Sequence, residues 1–155
     1  MTAQTGRTVE KWVTFKLDDS GLTLRTITGV KSINGVGLTY DEMDVTALAD
    51  ALKNVLPGHP DLSITVVSKF DTTADTGSHI VFSGVNGGNT PLGMDIQIGM
   101  RHAWEDTEPQ FGITASATSG MICTSYVVDV NAGESTAILK VMGPTAPAWG
   151  GTAET

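Results

Sequence analysis

The chain has 155 residues, which is enough for one domain with a substantial hydrophobic core. Its 17 acidic and 9 basic residues give a formal net charge of −8, which argues against a general affinity for DNA or anionic membranes, because phosphate binding needs clustered lysine and arginine. The one cysteine, Cys123, excludes an internal disulfide and is expected to be a small buried strand residue.

The N-terminal part of the chain predicts a β-hairpin followed by a loop. Apolar residues alternate with polar ones over residues 9–17, which predicts a strand. Residues 18–21, with the sequence DDSG, are a strong turn signal, and residues 22–28 resume as a second strand. Residues 29–37, with the sequence GVKSINGVG, predict a glycine-punctuated loop.

The next segment predicts one amphipathic helix in an otherwise β-rich chain. Asp44 or Thr46 can cap its start, and Pro57 with Gly58 can end it. The predicted core face of this helix has four apolar residues at steps of three and four: Val45, Leu48, Leu52 and Val55. At roughly three turns, such a helix must lay this face on a sheet to be stable.

A period of two returns after the predicted helix and continues to the end of the chain. Residues 62–71 predict a long strand, and residues 79–83 a short one. Residues 92–101 alternate most regularly, which predicts a strand with one face in solvent. Three further strands are predicted in the parts of the chain that follow: 111–117, 121–130 and 135–142. The fold class is therefore mainly β, a β-sandwich or part-barrel of about seven to nine strands with one α-helix packed on a sheet.

No constellation of residues predicts catalysis or a cofactor. His102 and Glu105 could be metal ligands, but no Cys/His cluster joins them. Asp71 and Asp75 lack the spacing of a calcium loop, and Ser78 lacks the surroundings of a nucleophile. We expect no enzyme activity, no metal and no cofactor. The first residues lack an apolar signal-peptide core, and no apolar run reaches the ~20 residues that span a bilayer, so we also expect no membrane contact.

The helix-and-strand segment resembles a known family. The residues DVTALADALKNVLPGHPDLSITVVSKFD are similar to the core of the tail tube (major tail) proteins of long-tailed bacteriophages. The matching features are the D-x-T entry of Asp44 and Thr46, the Pro57-Gly58 turn, Asp61, and the final Phe70-Asp71. The last strand, STAILKVMG, and the proline-bearing tail after it also resemble the C-terminal end of that family.

The resemblance implies a self-assembling structural subunit. In such a tube, rings of six copies stack into a filament, and the sheets of the copies join into one barrel around a channel for DNA. The implied partners are other copies of the chain and the tail tip, tape measure and terminator proteins. DNA would pass without specific binding. The implied location is the virion tail, after assembly in the host cytoplasm.

The resemblance and the charge together suggest which residues face which surface. Six copies carry a formal charge of about −48, which would keep DNA phosphates from adhering to the channel. The candidates for the channel lining are Asp95, Gln97 and Arg101, on the polar face of the most regular strand. The candidates for contacts between rings are Gly29, Lys31, Asn34, Gly37, Trp12 and Trp149. Residues 1–143 are expected to form the β domain and residues 144–155 a flexible C-terminal arm.

A different function class stays open at the level of sequence. The chain could be a monomeric β-sandwich that binds a carbohydrate or a protein. Its nine aromatic residues are scattered along the sequence, which argues against an aromatic-lined groove. A third possibility, a small hydrolase, has no supporting motif.

Overall fold

The computed structural model describes residues 12–100 and 102–153. Within these residues the chain forms eleven strands and one helix, which confirms the predicted fold class. The first six strands are β1 (Val13–Asp18), β2 (Leu24–Thr26), β3 (Val30–Asn34), β4 (Thr39–Asp44), β5 (Val55–Asp61) and β6 (Ser63–Lys69). After them come α1 (Ser78–Val85), β7 (Met94–Ile98), β8 (Gln110–Ile113), β9 (Gly120–Asp129), β10 (Glu134–Met142) and β11 (Ala148–Trp149).

The strands form three antiparallel sheets. A five-stranded sheet has the order β11-β8-β7-β1-β2, and a four-stranded sheet has the order β3-β6-β10-β9. The remaining pair, β4 and β5, is a separate two-stranded hairpin. The predicted N-terminal hairpin is confirmed, because β1 pairs with β2 across the turn at residues 18–21.

The two larger sheets share one hydrophobic core. The five-stranded sheet contributes Phe15 and Phe111, and the four-stranded sheet contributes Ile64 and Leu139, all of which are almost completely buried. Cys123 is buried in β9, as the sequence predicted. Burial of large side chains from both sheets is the main force that holds such a sandwich together.

The helix α1 covers part of this core, but it lies where the sequence predicted a strand. Its buried residues are Ser78, Val81, Phe82 and Val85. Their spacing of three and four residues is that of one helix face, so the helical pattern was present in the sequence. The Phe82 ring lies 6.2 Å from the Phe15 ring and 6.0 Å from the Tyr126 ring, between the two sheets. The prediction of a strand over residues 79–83 was wrong.

The helix predicted over the segment with Val45, Leu48, Leu52 and Val55 does not form. These four residues lie at the tip of the β4–β5 hairpin, and between 42% and 106% of each is exposed. None of the described sheets covers these side chains, and a helix of this length is not stable without such a cover. Short side chains bond the backbone locally instead, which competes with helix formation.

The predicted loop over residues 29–37 contains a strand. Gly29 and Gly35 have φ angles of 77° and 84°, and they bracket β3 where the chain turns into and out of it. A Cβ atom on Gly35 would lie within van der Waals overlap of the Ser63 carbonyl oxygen. The glycines therefore mark the ends of an edge strand, which the sequence interpretation took for a continuous loop.

The strand β7 is buried on both faces, whereas the sequence predicted one face in solvent. Met94 and Ile96 point into the core, and Asp95 and Gln97 on the other side are 0% and 5% exposed. The cover comes from the C-terminal segment. Its β11 pairs with β8, and the Thr152 hydroxyl donates to an Asp95 carboxylate oxygen at 2.9 Å. The described part of the predicted flexible arm therefore lies on the five-stranded sheet.

Candidate functional site

More than half of the exposed large apolar side chains of the described residues lie on the β4–β5 hairpin and its tip. Residues 39–61 are called the outer hairpin below. It carries seven of the thirteen large apolar side chains that are exposed among the described residues: Tyr40, Met43, Val45, Leu48, Leu52, Val55 and Leu56. Leu48 and Leu52 are 106% and 78% exposed. A concentration of this kind on one element is typical of a surface that contacts another molecule.

The tip of the outer hairpin is ordered by local hydrogen bonds. The Asn54 amide donates to the Thr46 hydroxyl at 2.7 Å, and the Val45 amide donates to the Asn54 carbonyl at 3.0 Å. The Ala47 amide donates to the Asp50 carboxylate at 2.7 Å, which lowers the pKa of Asp50. The tip is therefore held in shape without burying its leucines, so they stay available to a partner.

The outer hairpin is strongly acidic as well as apolar. It contains five carboxylates against one lysine, Lys53, so its formal charge is −4, half of the net charge of the whole chain. The acidic residues are Asp41, Glu42, Asp44, Asp50 and Asp61, and each of them is exposed. A second apolar surface could accept this hairpin, whereas a polyanion would be repelled by it.

Among the described residues, the four-stranded sheet has two open edges. Strand β3 forms one edge and β9 the other. The beginning of β9 is bridged on its outer side to Asn86 and Leu92, but none of the described residues pairs there with residues 124–129. The edge strands of the five-stranded sheet, β2 and β11, have only three and two residues. Long open edges offer unpaired backbone groups to another strand, whereas short ones are protected.

An apolar groove adjoins the open edge at β3. It has a volume of about 270 Å³ and lies between β3 and the ends of β1 and β7. Its apolar lining comes from Val13 of β1, Ile96 and Ile98 of β7, and Val30, Ile33 and Val36 of the β3 region. This groove is called the edge groove below. Because its lining is apolar, it suits the exposed leucine side chains of the outer hairpin.

The structure places most of the predicted ring-contact residues near the same edge. Gly29, Lys31 and Asn34 lie in β3 or next to it. A Cβ atom on Gly37 would lie 4.0 Å from the Trp149 ring nitrogen, so these two positions are also close. Trp149 is 56% exposed and packs on Phe111, with the ring centres 5.1 Å apart. Trp12 is partly buried, and its carbonyl accepts a hydrogen bond from the Gly99 amide at 3.0 Å.

Two of the three predicted channel-lining residues are buried in the single copy. Asp95 and Gln97 are buried beneath the C-terminal segment, and the Gln97 amide donates to Asp95 at 3.3 Å. The prediction assumed that the polar face of β7 is bare, whereas this face is covered in the single copy. Arg101 lies outside the described residues.

A second buried carboxyl group, Asp18, lies at the end of β1. Burial raises its pKa, although the Gly93 amide donates to it at 2.8 Å and partly offsets this effect. The neighbouring Asp19 has the opposite shift. Burial would raise the pKa of Asp19, but hydrogen bonds from Arg25, Thr23 and Gly21 outweigh it and lower the pKa. The Asp19 side chain organises the β1–β2 turn, whereas the Asp18 side chain binds the Gly93 amide just before β7.

The sequence interpretation missed the open edge of β9 and the exposed residues Tyr40, Met43 and Leu56. Pro57 and Pro60 were a usable signal, since prolines within a strand indicate that it is not in the interior of a sheet. The open edge of β9 has no comparable signal, because pairing partners are set by the topology and not by local sequence.

Comparisons with solved structures show that other chains share this fold. A chain from the tail of an empty GTA particle, solved by helical refinement with C6 symmetry, has a TM-score of 0.56 at 22% identity, and the match covers 92% of this chain and 98% of that one. A chain from the sheath/tube terminator of an extracellular contractile injection system (PVC) in the extended state has a TM-score of 0.59 at 12% identity, with 95% and 99% covered. A chain from the sheath-tube complex of that system has a TM-score of 0.55 at 12% identity, with 92% and 90% covered.

The other comparisons add no closer relative. No protein-family model matches the chain, and no curated protein sequence matches it significantly.

The described residues contain no group of three or more His, Cys, Asp or Glu side chains placed to hold a metal ion. No helix in the described parts of the chain has the length and hydropathy needed to cross a membrane.

Proposed function

We propose that the chain is a structural subunit of a phage-type tail tube, in which rings of six copies stack around a channel for DNA. The observation that carries this proposal is the outer hairpin, which exposes seven large apolar side chains on an element with no core of its own. Such a surface is costly in water unless another copy covers it. The C6 symmetry reported for the GTA tail particle supports six as the number of copies.

The contact within a ring is proposed to be between sheet edges. The two open edges, β3 and residues 124–129 of β9, belong to opposite sides of one sheet. Pairing β3 of one copy with β9 of the next would join the four-stranded sheets into a closed barrel, which leaves no edge exposed. This contact uses different surfaces on the two partners and closes into a ring when the rotation per copy permits.

The contact between rings is proposed to be made by the outer hairpin. The outer hairpin follows β3 in the chain, after Gly35 and Gly37, and its leucines are exposed. We propose that Leu48 and Leu52 pack into the edge groove of a copy in the adjacent ring. The predicted ring-contact residues Lys31 and Asn34 belong to β3, which borders that groove, and stay candidates for this interface. Trp149 lies in β11, at an edge of the other sheet, and stays a candidate for a ring contact there.

The charge of the chain is consistent with passage of DNA without adhesion. Six copies bring a formal charge of about −48, and half of it is carried by the outer hairpins. Contacts with a tail tip, tape measure and terminator protein, assembly in a host cytoplasm and a final location in a virion tail belong to the same proposal.

Negative-stain electron microscopy of concentrated protein tests the proposal. The wild type is expected to form uniform tubes, and the double variant Leu48→Ser/Leu52→Ser is expected to stay dispersed while keeping its fold. Leu22→Ser is the matched control, because Leu22 is 53% exposed but lies at the β1–β2 turn. It should assemble like the wild type.

Dispersed wild-type particles after prolonged incubation would contradict a tube. They would favour the alternative of a monomeric β-sandwich that binds a carbohydrate or a protein. Equal loss of assembly in the Leu22→Ser control would show that exposed apolar area in general, and not the outer hairpin, drives association.

A further inference from the structure

The outward face of the four-stranded sheet has few charges. Burial alternates along its two central strands, so that every second residue points away from the core. The outward residues at the centre of this face, called the wall face below, are Thr65, Val67 and Lys69 of β6 and Glu134, Thr136 and Ile138 of β10. They lie in rows across the strands, in which Glu134 is opposite Lys69, Thr136 opposite Val67, and Ile138 opposite Thr65.

The charged row of the wall face is built around Glu134. One Glu134 carboxylate oxygen lies 2.9 Å from the Lys31 ammonium nitrogen and 3.3 Å from that of Lys69. Hydrogen bonds from the two lysines lower the pKa of Glu134, so it is ionised at neutral pH. The nearby Asp129 carboxylate accepts from the amides of Asn131 and Ala132 in the β9–β10 turn. Glu134 is therefore the carboxylate that bridges the two lysines.

The two lysine side chains are open to solvent. Those of Lys31 and Lys69 are 56% and 60% exposed, whereas that of Glu134 is 21% exposed. Two adjacent ammonium groups on an open face can each contact a phosphate of a nucleic-acid backbone. Glu134 adds a negative charge at the centre of this pair and occupies donors that a phosphate would otherwise use.

We propose that Glu134 prevents adhesion of nucleic acid to the wall face by holding Lys31 and Lys69 in a shared ion pair. The inference rests on the proposed function, since it takes the wall face as the surface along which DNA passes once the sheets have joined into a barrel. Because Asp95 and Gln97 are buried, the wall face takes the role that the sequence had assigned to these two residues. The wall face limits phosphate binding by placing one carboxylate between Lys31 and Lys69 and by presenting hydroxyl and aliphatic groups between charged positions.

The test compares DNA binding by charge variants. Fluorescence anisotropy of a labelled DNA duplex is titrated with folded wild-type protein, Glu134→Gln and Asp44→Asn, each as dilute protein and as the material formed at high concentration. Asp44→Asn is the matched control, because it removes the same charge from the exposed outer hairpin. Asp44 has no lysine or arginine within 4 Å among the described residues.

Glu134→Gln is expected to bind the duplex about fivefold more tightly than the wild type, with a steeper salt dependence by about one to two phosphate contacts. Asp44→Asn is expected to bind like the wild type. Adding Lys31→Gln and Lys69→Gln to Glu134→Gln should return the affinity to the wild-type level, which assigns the gain to these lysines.

Two results would overturn the proposal. One is wild-type affinity in a Glu134→Gln protein whose circular dichroism and thermal unfolding match the wild type. The other is an equal gain in Asp44→Asn, which would reduce the effect to net charge. Assembly is scored separately by microscopy. If tubes form and Glu134→Gln gains no affinity, this inference alone fails, and if the wild type forms no tubes, the proposed function fails whatever the affinities are.

Discussion

Helix α1 and the tip of the outer hairpin carry the same apolar spacing and have opposite fates. In α1, Val81, Phe82 and Val85 are at most 6% exposed. At the hairpin tip, Leu48 and Leu52 have the same helical spacing and are almost fully exposed. A period of three and four indicates which residues could share a helix face, but a helix forms only where a surface receives that face.

Under the proposed assembly, the two regions also differ in function. Residues that the core needs are buried inside one copy, so they contribute to the stability of the isolated chain. Residues that the outer hairpin exposes contribute little there and are available to another copy. Stability and assembly should therefore respond to different substitutions.

Truncation in α1 should have the largest effect on stability. Phe82→Ala removes a ring that is packed between Phe15 and Tyr126 in the core, and it should lower the free energy of unfolding by about 3–5 kcal/mol. Leu48→Ala at the hairpin tip should change it by less than about 0.5 kcal/mol. Urea denaturation of dilute protein measures both. Comparable losses in the two variants would mean that the tip is part of the core after all.

The base of the outer hairpin should be the next most sensitive place. Gly35 and Gly133 both have positive φ angles, but a Cβ atom would clash with the Ser63 carbonyl only at Gly35. Gly35→Ala should cost about 2–4 kcal/mol, because strain and overlap add, and Gly133→Ala only about 1–2 kcal/mol from backbone strain. The pair is compared by urea denaturation. Equal costs would show that the close approach at Gly35 is relieved by a small shift.

The C-terminal segment should have a smaller effect, because the substitution removes only a side-chain hydroxyl. Thr152→Val keeps the shape of the side chain and removes the hydroxyl that donates to the buried Asp95 at 2.9 Å. A loss of about 1–2 kcal/mol is expected. Thr72→Val, at an exposed loop position, is the control and should be nearly neutral. No loss in Thr152→Val would mean that the segment does not hold Asp95 in solution.

The smallest expected effect concerns two neighbouring carboxyl groups with opposite pKa shifts. The pKa of Asp18 is raised from 3.8, so the folded state holds its proton more tightly than the unfolded state, and the contribution of Asp18 to stability falls as the pH rises through the raised pKa. The pKa of Asp19 is lowered, so its contribution is present above 3.8 and is lost as the pH falls through the lowered pKa.

The stability of Asp18→Asn relative to the wild type should therefore increase with pH in the acidic range, and that of Asp19→Asn should decrease. Thermal unfolding measured at a series of pH values gives both trends. Parallel trends in the two variants would contradict the assignment of burial to Asp18 and of hydrogen bonding to Asp19.

Much of the β framework could be predicted because its signals are local. The turn at residues 18–21 and the alternation in β6, β9 and β10 depend on neighbouring residues alone. The position of the helix could not be predicted as easily, because two segments had helical spacing and only the folded sheets decide which one is covered. The alternation at residues 79–83 also fitted a strand, and a short apolar run does not separate the two.

The candidate site was less predictable than the fold. The polar residues of β7 are a good match to a solvent-facing strand, and they are buried only because the C-terminal segment folds back over Asp95. The open edges follow from the order β3-β6-β10-β9, which joins strands far apart in sequence. The bridge from Glu134 to Lys31 spans 103 positions, so no local pattern could reveal it.

The most direct test is hydrogen–deuterium exchange, followed by mass spectrometry, at low and high protein concentration. It shows whether copies of the chain cover one another's outer hairpins and open sheet edges. At high concentration, slower exchange is expected in the outer hairpin, in β3 and in residues 124–129 of β9, while the core strand β7 exchanges equally slowly in both samples. Exchange rates in these three segments that do not change between the two concentrations would contradict the proposed assembly.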